Sequence, residues 1–231
     1  IMTIIATTFA SFFGPPSASR GSSKPVAEEI VRVLTLYQLT SRLYLIPFDA
    51  IQRQIVAEAH ESFRLLLYRR MMARIAREVG RTERALGLVT GDSVSQVASQ
   101  TLHNLAAIDH ELGFPVYRPL AGDDKSEILS WARKIGTYKI SCEPFEDCCP
   151  RFMPRSPAIF ANPEALDRAE SGLNTESLVT LGLEAASVRD FRLEGGEVTV
   201  REAVPRRLQK LVAWRKGIRR SVPTPPPSAE P

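Results

Sequence analysis

Residues 90–101 read Thr-Gly-Asp-Ser-Val-Ser-Gln-Val-Ala-Ser-Gln-Thr and hold, side by side, the residue types that cradle a nucleotide. The apolar run Ala-Leu-Gly-Leu-Val at 85–89 delivers the backbone to Gly91, and Asp92 and Ser93 then open a predicted helix. A strand, turn and helix start of this kind presents backbone N–H groups to an anion. Glycine admits a ligand close to the backbone, while Ser93, Gln96, Ser99, Gln100 and Thr101 supply neutral donors and acceptors for a base or a sugar. The same residues also suit an ordinary strand-to-helix connection capped by Asp92 or Ser93.

A second candidate chemistry lies in the thiols. The chain has three cysteines, Cys142, Cys148 and Cys149, an odd and clustered set unlike a secreted disulfide framework. Adjacent cysteines are poorly spaced to chelate zinc, and no histidine follows them, so no metal is expected there. Flanking prolines and the nearby Arg151 and Arg155 could keep a thiol exposed with a lowered pKa, as a nucleophile or persulfide carrier. Glu146 and Asp147 oppose that shift, and a buried pair acting as small hydrophobes stays open as the alternative. Arg69 and Arg70 begin a basic row that continues through Arg74, Arg77 and Arg81, the last four on one helix face by their spacing. Either that face is solvated, or Arg69 takes a phosphate while the others touch an RNA backbone. His60, His103 and His110 have no partners at triad-like or metal-like spacing and are assigned no role.

Positioning these groups calls for an α/β scaffold. Strands are expected at 1–8, 42–47, 85–90 and around 116–117, alternating with helices at 26–37, 62–79, 95–110 and 123–135, the pattern of a doubly wound parallel sheet. The second of these helices carries Leu67, Met71, Ile75 and Val79 at helical spacing, and the last has Asp123 or Asp124 as its cap. Ligands of such sheets bind beyond the carboxyl ends of the strands, so 11–16, 91–95 and 120–124 should share one rim. Further on, helices are expected at 163–169 and 177–188, and a hairpin at 191–200 turns around Gly195-Gly196. The segment 206–220 holds seven Lys or Arg residues and runs into Pro-rich 223–231. It could grip nucleic acid, but a disordered basic tail over 205–231 is the simpler expectation.

At 231 residues the chain has room for one generous domain plus an appendage. Apolar residues at 44% and charged residues at 24% describe a globular protein, and the net charge of +4 permits a polyanionic partner without requiring one. The opening apolar run at 1–6 is too short to span a bilayer and has no basic segment before it, so a cytoplasmic protein without a membrane partner is expected. The first residue is Ile1, from which a piece of a longer reading frame is expected.

Taken in order, Val89-Thr90-Gly91-Asp92-Ser93, Gln96-Val97-Ala98-Ser99-Gln100-Thr101, Arg118-Pro119-Leu120, Asp124-Lys125, Lys134-Ile135-Gly136-Thr137-Tyr138 and Glu146-Asp147-Cys148-Cys149 resemble the tRNA 4-thiouridine synthetases. These are tRNA sulfurtransferases also tied to thiamine biosynthesis. The likeness takes in 12–16, Ile46-Pro47-Phe48 and Arg69-Arg70-Met71-Met72, and it fades near Leu193. It implies a PP-loop ATP pyrophosphatase domain over 1–158, followed by a helical and hairpin extension over 159–204.

In that family ATP, with Mg2+, adenylates the C4 oxygen of uridine 8 in tRNA, and a sulfur donor then displaces AMP. The partners implied are tRNA, a cysteine desulfurase as sulfur donor, and the sulfur-carrier protein of thiazole synthesis. Nucleotide contacts are implied at Ser11, Phe12, Arg69, Gly91 and Gln100, with Ser11 standing where the family often has histidine. The catalytic thiol is implied at Cys149, with Cys148 as a second thiol. The family's phosphate-binding signature, Ser-Gly-Gly-x-Asp-Ser, would end a strand before Ile1 and is not in these residues. The expectation is therefore a catalytic domain truncated at its N-terminus and inactive alone. A degenerate module that only binds nucleotide or RNA, and another PP-loop tRNA-modifying enzyme, are the alternatives.

Overall fold

The computed structural model describes residues 5–10, 23–94, 96–143 and 156–221. Strand β1 (Ile5–Ala10) pairs in parallel with β2 (Thr40–Pro47), and the crossover between them carries helix α1 (Ser23–Gln38). Parallel strands need such a crossover, and they are buried on both faces. In β2 the consecutive residues Leu43, Tyr44, Leu45 and Ile46 are all buried. Their alternation splits them between two cores. Leu43 and Leu45 join Val31 of α1 and Phe191, while Tyr44 and Ile46 join the larger cluster on the opposite face.

That larger cluster is organised by α3 (Arg64–Thr82), which follows α2 (Asp49–Glu58) and a short 3-10 turn at Glu61–Phe63. The expected stripe Leu67, Met71, Ile75 and Val79 is buried to 1% exposure or less. A second parallel pair, β3 (Leu88–Val89) with β4 (Val116–Tyr117), brackets α4 (Leu102–Asp109). Helix α5 (Lys125–Lys134) starts at Asp124, whose side chain accepts from the Ser126 and Glu127 N–H groups while Glu127 returns to the Asp124 N–H. This reciprocal cap fixes the helix start as expected from the sequence. Helix α6 (Tyr138–Ser141) adds a single turn.

The C-terminal third is built into the same body. Helices α7 (Pro163–Glu170) and α8 (Thr175–Glu184) place Leu166, Leu178, Val179 and Leu183 in the main core. Gly182 lets α8 approach closely, since a Cβ there would lie 2.8 Å from Ile75 Cδ1 and 3.2 Å from Ile51 Cδ1. The helix expected over 177–188 ends at Glu184, because β5 (Ser187–Glu194) pairs with β2, setting Asp190 opposite Arg42. The pairing is tied by Arg42 Nε and Nη2 donating to Asp190 at 2.6 and 2.9 Å. Strand β6 (Glu197–Ala203) completes a hairpin through Gly195 and Gly196, at φ 61° and 88°. Both values lie in the left-handed region that favours glycine.

The described sheet thus runs β1-β2-β5-β6, parallel within its first pair and antiparallel beyond it, with β3-β4 as a separate parallel pair. Helices cover both faces of the main sheet, as a doubly wound arrangement requires. The basic stretch is not the disordered tail expected from residue 205: Arg206–Ser221 forms helix α9, whose Leu208 and Val212 are buried in the main core. Burial of residues four apart supplies the packing that charge composition concealed.

Candidate functional site

Two loops leave the carboxyl ends of β3 and β4 and are stitched together. Val94 N–H donates to Ala121 O at 3.1 Å, and Ser93 Oγ donates to Asp123 O at 2.8 Å. The expected rim therefore forms from 91–94 and 120–124; its third part, 11–16, with Ser11 and Phe12, lies outside the described residues.

Asp92 is the hub of this rim, at 5% exposure. Its carboxylate accepts from Thr90 Oγ1 at 2.7 Å, Arg118 Nε at 3.1 Å and Gln100 Nε2 at 3.2 Å, and it forms an ion pair with Arg69. Burial alone would raise its pKa, but the bonds from Arg69, Thr90 and Arg118 outweigh burial and hold the carboxyl below its ordinary value. Arg69 also donates to Ser99 Oγ at 3.1 Å. Arg118 forms a fork onto Asp109 at 2.7 and 2.9 Å, and with that pairing as the largest cause its pKa is raised. Each guanidinium is thus held in a defined direction by a carboxylate.

The helix expected over 95–110 starts later than the sequence suggests. After Gln96 the chain bends, makes a 3-10 turn at Ala98–Gln100 and enters α4 only at Leu102, with Thr101 as its cap. Asp92 and Ser93 cap no helix, because Asp92 is taken by the arginines and Ser93 by the neighbouring loop. The turn is fixed by the fully buried Asn104, which donates to Ala98 O and Ala158 O and accepts from Ala161 N–H at 2.7–2.9 Å. The anion-binding helix start expected just after Gly91 is therefore absent. In its place, the N–H groups of Gly91, Asp92 and Ser93 meet no backbone carbonyl among the described residues. A Cβ at Gly91 would meet nothing within 4 Å, so that backbone is approachable from outside.

Beside the hub a cavity of about 1120 Å³ separates the two sheets. Arg69, Thr90, Asp92 and Arg118 line one end; Arg42, Glu83 and Asp190 line the other; Met72, Ala73, Ala76 and Leu88 lie among the apolar walls. The structure thus brings Arg69 and Gln100 onto one carboxylate, next to Gly91. Asp92, Arg118 and Asp109 join the site only through contacts made in the fold. Their signal was local at best, since Asp92 and Arg118 meet across 26 residues.

The rest of the basic row divides between internal ion pairs and a solvated end. Arg70 is 1% exposed and bonds Asp167, Glu170 and Ala107 O, Arg74 pairs with Glu170, and Arg77 and Arg81 reach Glu78. Arg70, Arg74 and Arg77 are held by internal partners, whereas Arg81, its side chain 53% exposed, is solvated as one of the two expectations had it. Cys142 is exposed and free, while Cys148 and Cys149 lie outside the described residues. Among the described residues no grouping of His, Cys, Asp or Glu could hold a metal. Asp92 and Asp109, both held by arginine, do not fit the Mg2+ that the resemblance implies. Among the described residues no helix is long and apolar enough to cross a membrane.

The family described as thiamine biosynthesis protein (ThiI) matches residues 5–175. A probable tRNA sulfurtransferase of Thermus thermophilus is 45% identical over 178 residues, which are 77% of this chain and 43% of that protein. A second, of Moorella thermoacetica, is 42% identical over 183 residues, 79% of this chain and 46% of that one. The fold also matches a crystal structure of a 4-thiouridine synthetase in complex with RNA and bound ATP. The TM-score is 0.69 at 32% identity, over 79% of this chain and 47% of that one. The chain spans less than half the length of these relatives.

Proposed function

The chain belongs to the ThiI family, and we propose that it is part of a tRNA 4-thiouridine synthetase that activates uridine 8 with ATP before sulfur enters. The observation that carries this reading is the convergence of Arg69 and Gln100 on Asp92, beside the open backbone of Gly91, at one end of the cavity. Uridine holds its C4 oxygen as a carbonyl, a poor leaving group. Attack of that oxygen on the α-phosphorus of ATP expels pyrophosphate and converts the oxygen into the bridge of an adenylate. Sulfur attack at C4 then expels AMP.

In this reading the N–H groups at 91–93 and the Gln100 amide orient the adenine nucleotide, and Arg69 faces its phosphates. Asp92 keeps Arg69 and Arg118 fixed, so little reorganisation is needed as charge develops. The family's phosphate-binding strand would lie in the cavity beside β3, floored by Met72, Ala73 and Ala76. Cys149 is the thiol that handles sulfur, through a persulfide or a disulfide, with Cys148 as a second thiol. The sulfur comes from a cysteine desulfurase, and the same sulfur route serves thiazole synthesis.

The test is the 4-thiouridine content of tRNA from cells that lack their own enzyme and carry the full-length gene. Wild type restores the base, and Arg69→Ala and Cys149→Ser each abolish it. Full restoration by Cys149→Ser refutes the thiol assignment, and full restoration by Arg69→Ala refutes the nucleotide site.

A further inference from the structure

Helix α9 lies beyond the region that matches the family, which ends at residue 175. Its sequence, Arg-Arg-Leu-Gln-Lys-Leu-Val-Ala-Trp-Arg-Lys-Gly-Ile-Arg-Arg-Ser, contains no acidic residue. Over residues 206–217 the helix sorts its charges by face. On the inner side Leu208, Leu211 and Val212 pack into the core, and Arg215 donates to Thr180 Oγ1 at 3.2 Å and Glu78 Oε2 at 3.3 Å and pairs with Glu176. Lys216, at the border, pairs with Glu184.

The outer side carries Arg206, Arg207, Lys210 and Trp214, all exposed, within about 100° of arc by helical periodicity. None of these three cations pairs with a carboxylate among the described residues. Arg207 is steadied by Thr82 O at 3.4 Å, and Trp214 is 61% exposed.

We infer that the outer face of α9 is an RNA-binding surface: Arg206, Arg207 and Lys210 take backbone phosphates, and Trp214 stacks on an unpaired base. The choice of RNA rests on the tRNA-modifying reading above; the surface itself rests on charge complementarity. Cations that are neutralised inward but left unpaired outward leave a net positive strip, which a polyanion can occupy while releasing its counterions. An exposed indole beside such a strip is the arrangement that holds single-stranded bases. An anionic membrane fits less well, because a membrane-surface helix must offer its apolar face to lipid, and that face is already buried here. Along α3 the strip stands at the end opposite Arg69: Thr82 and Arg69 are 13 positions apart, roughly 20 Å of helix. A folded tRNA can reach both places at once.

The test is binding of this chain to a labelled tRNA transcript over a series of salt concentrations. Combining Arg206→Ala, Arg207→Ala and Lys210→Ala should weaken binding at low salt by about tenfold or more. It should also lower the slope of log affinity against log salt by about two to three. Trp214→Ala should weaken binding by about fivefold or more at all salt concentrations. In a Trp131→Phe background, where Trp214 is the sole tryptophan, tRNA should change its emission, a readout that needs no substitution on α9. Unchanged affinity and slope in the triple variant, with its circular dichroism intact, overturns the inference. So does Trp214 emission that responds to phosphatidylglycerol vesicles and not to tRNA. RNA affinity and 4-thiouridine formation are read separately: if the full-length protein makes the base while the α9 variants bind like wild type, the surface fails and the catalytic reading stands.

Discussion

Arg69 and Arg70 are adjacent in sequence and identical in chemistry, yet they belong to different parts of the molecule. Arg69 turns toward the rim, where Asp92, Gln100 and Arg118 meet beside the cavity. Arg70 turns a helical step away, into the packing among α3, α4 and α7, where it is 1% exposed and bonds Asp167, Glu170 and Ala107 O. Both are ion-paired, so pairing alone does not mark a functional arginine. What separates them is the surroundings: the Asp92 group borders the cavity and the open backbone of Gly91, whereas the Glu170 group is packed among helices, with Asp167 at its outer edge. The Glu170 carboxylate ties helices together, and the Asp92 carboxylate holds Arg69 and Arg118 at the cavity.

The largest effect that could break this contrast is on stability. Arg70→Ala removes one of two arginines on Glu170, the bond to Ala107 O and the packing of a fully buried side chain, and should destabilise the protein by about 3 kcal/mol in denaturant unfolding. Arg69→Ala should cost about 1 kcal/mol, since Asp92 keeps Arg118, Thr90 and Gln100. Equal losses would mean that the two clusters do the same work.

Asp92→Asn should cost about 1–3 kcal/mol at neutral pH. The Asp92 carboxyl is held below its ordinary value, so its contribution is complete above the unfolded-chain value of about 4 and fades as pH falls through the lower folded-state value. Unfolding curves of the wild type and the Asn variant should therefore converge in that acid range. Parallel curves down to the lowest pH would show that the ionised form of Asp92 contributes nothing.

The smallest stability effect belongs to Gly91→Ala. With no atom within 4 Å of the new methyl, stability should stay within about 0.5 kcal/mol of wild type. In the full-length protein, by contrast, ATP affinity measured by calorimetry should fall about tenfold, because the methyl occupies the space the nucleotide would approach. Unchanged affinity would separate Gly91 from the nucleotide site.

The legible parts of the fold were those decided by local periodicity. Leu67, Met71, Ile75 and Val79 fall on one stripe of α3, and their burial follows from spacing alone. The Asp124 cap and the Gly195-Gly196 turn are likewise settled by residues within a few positions. What escaped was decided at a distance. Asp92 looked like a helix cap because nothing near it announces Arg69, 23 residues earlier, or Arg118, 26 residues later. Residues 206–221 looked like a charged tail because Leu208 and Val212 are few among cations, and their pocket is made by α3 and α8. Arg69, Gly91 and Gln100, expected from residue type and resemblance to contact a nucleotide, stand together around Asp92. The carboxylate that organises them was visible only once the chain had folded.

The register of β5 on β2 has a consequence for synthesis. Arg42 and Asp190 lie 148 residues apart, so at translation rates of about 5–20 residues per second the β2 edge waits roughly 7–30 s for its partner to leave the ribosome. During that interval Leu43 and Leu45 lack Phe191, and a row of backbone donors and acceptors stands open to other strands. The nascent chain is open to mispairing at this edge until residue 190 emerges.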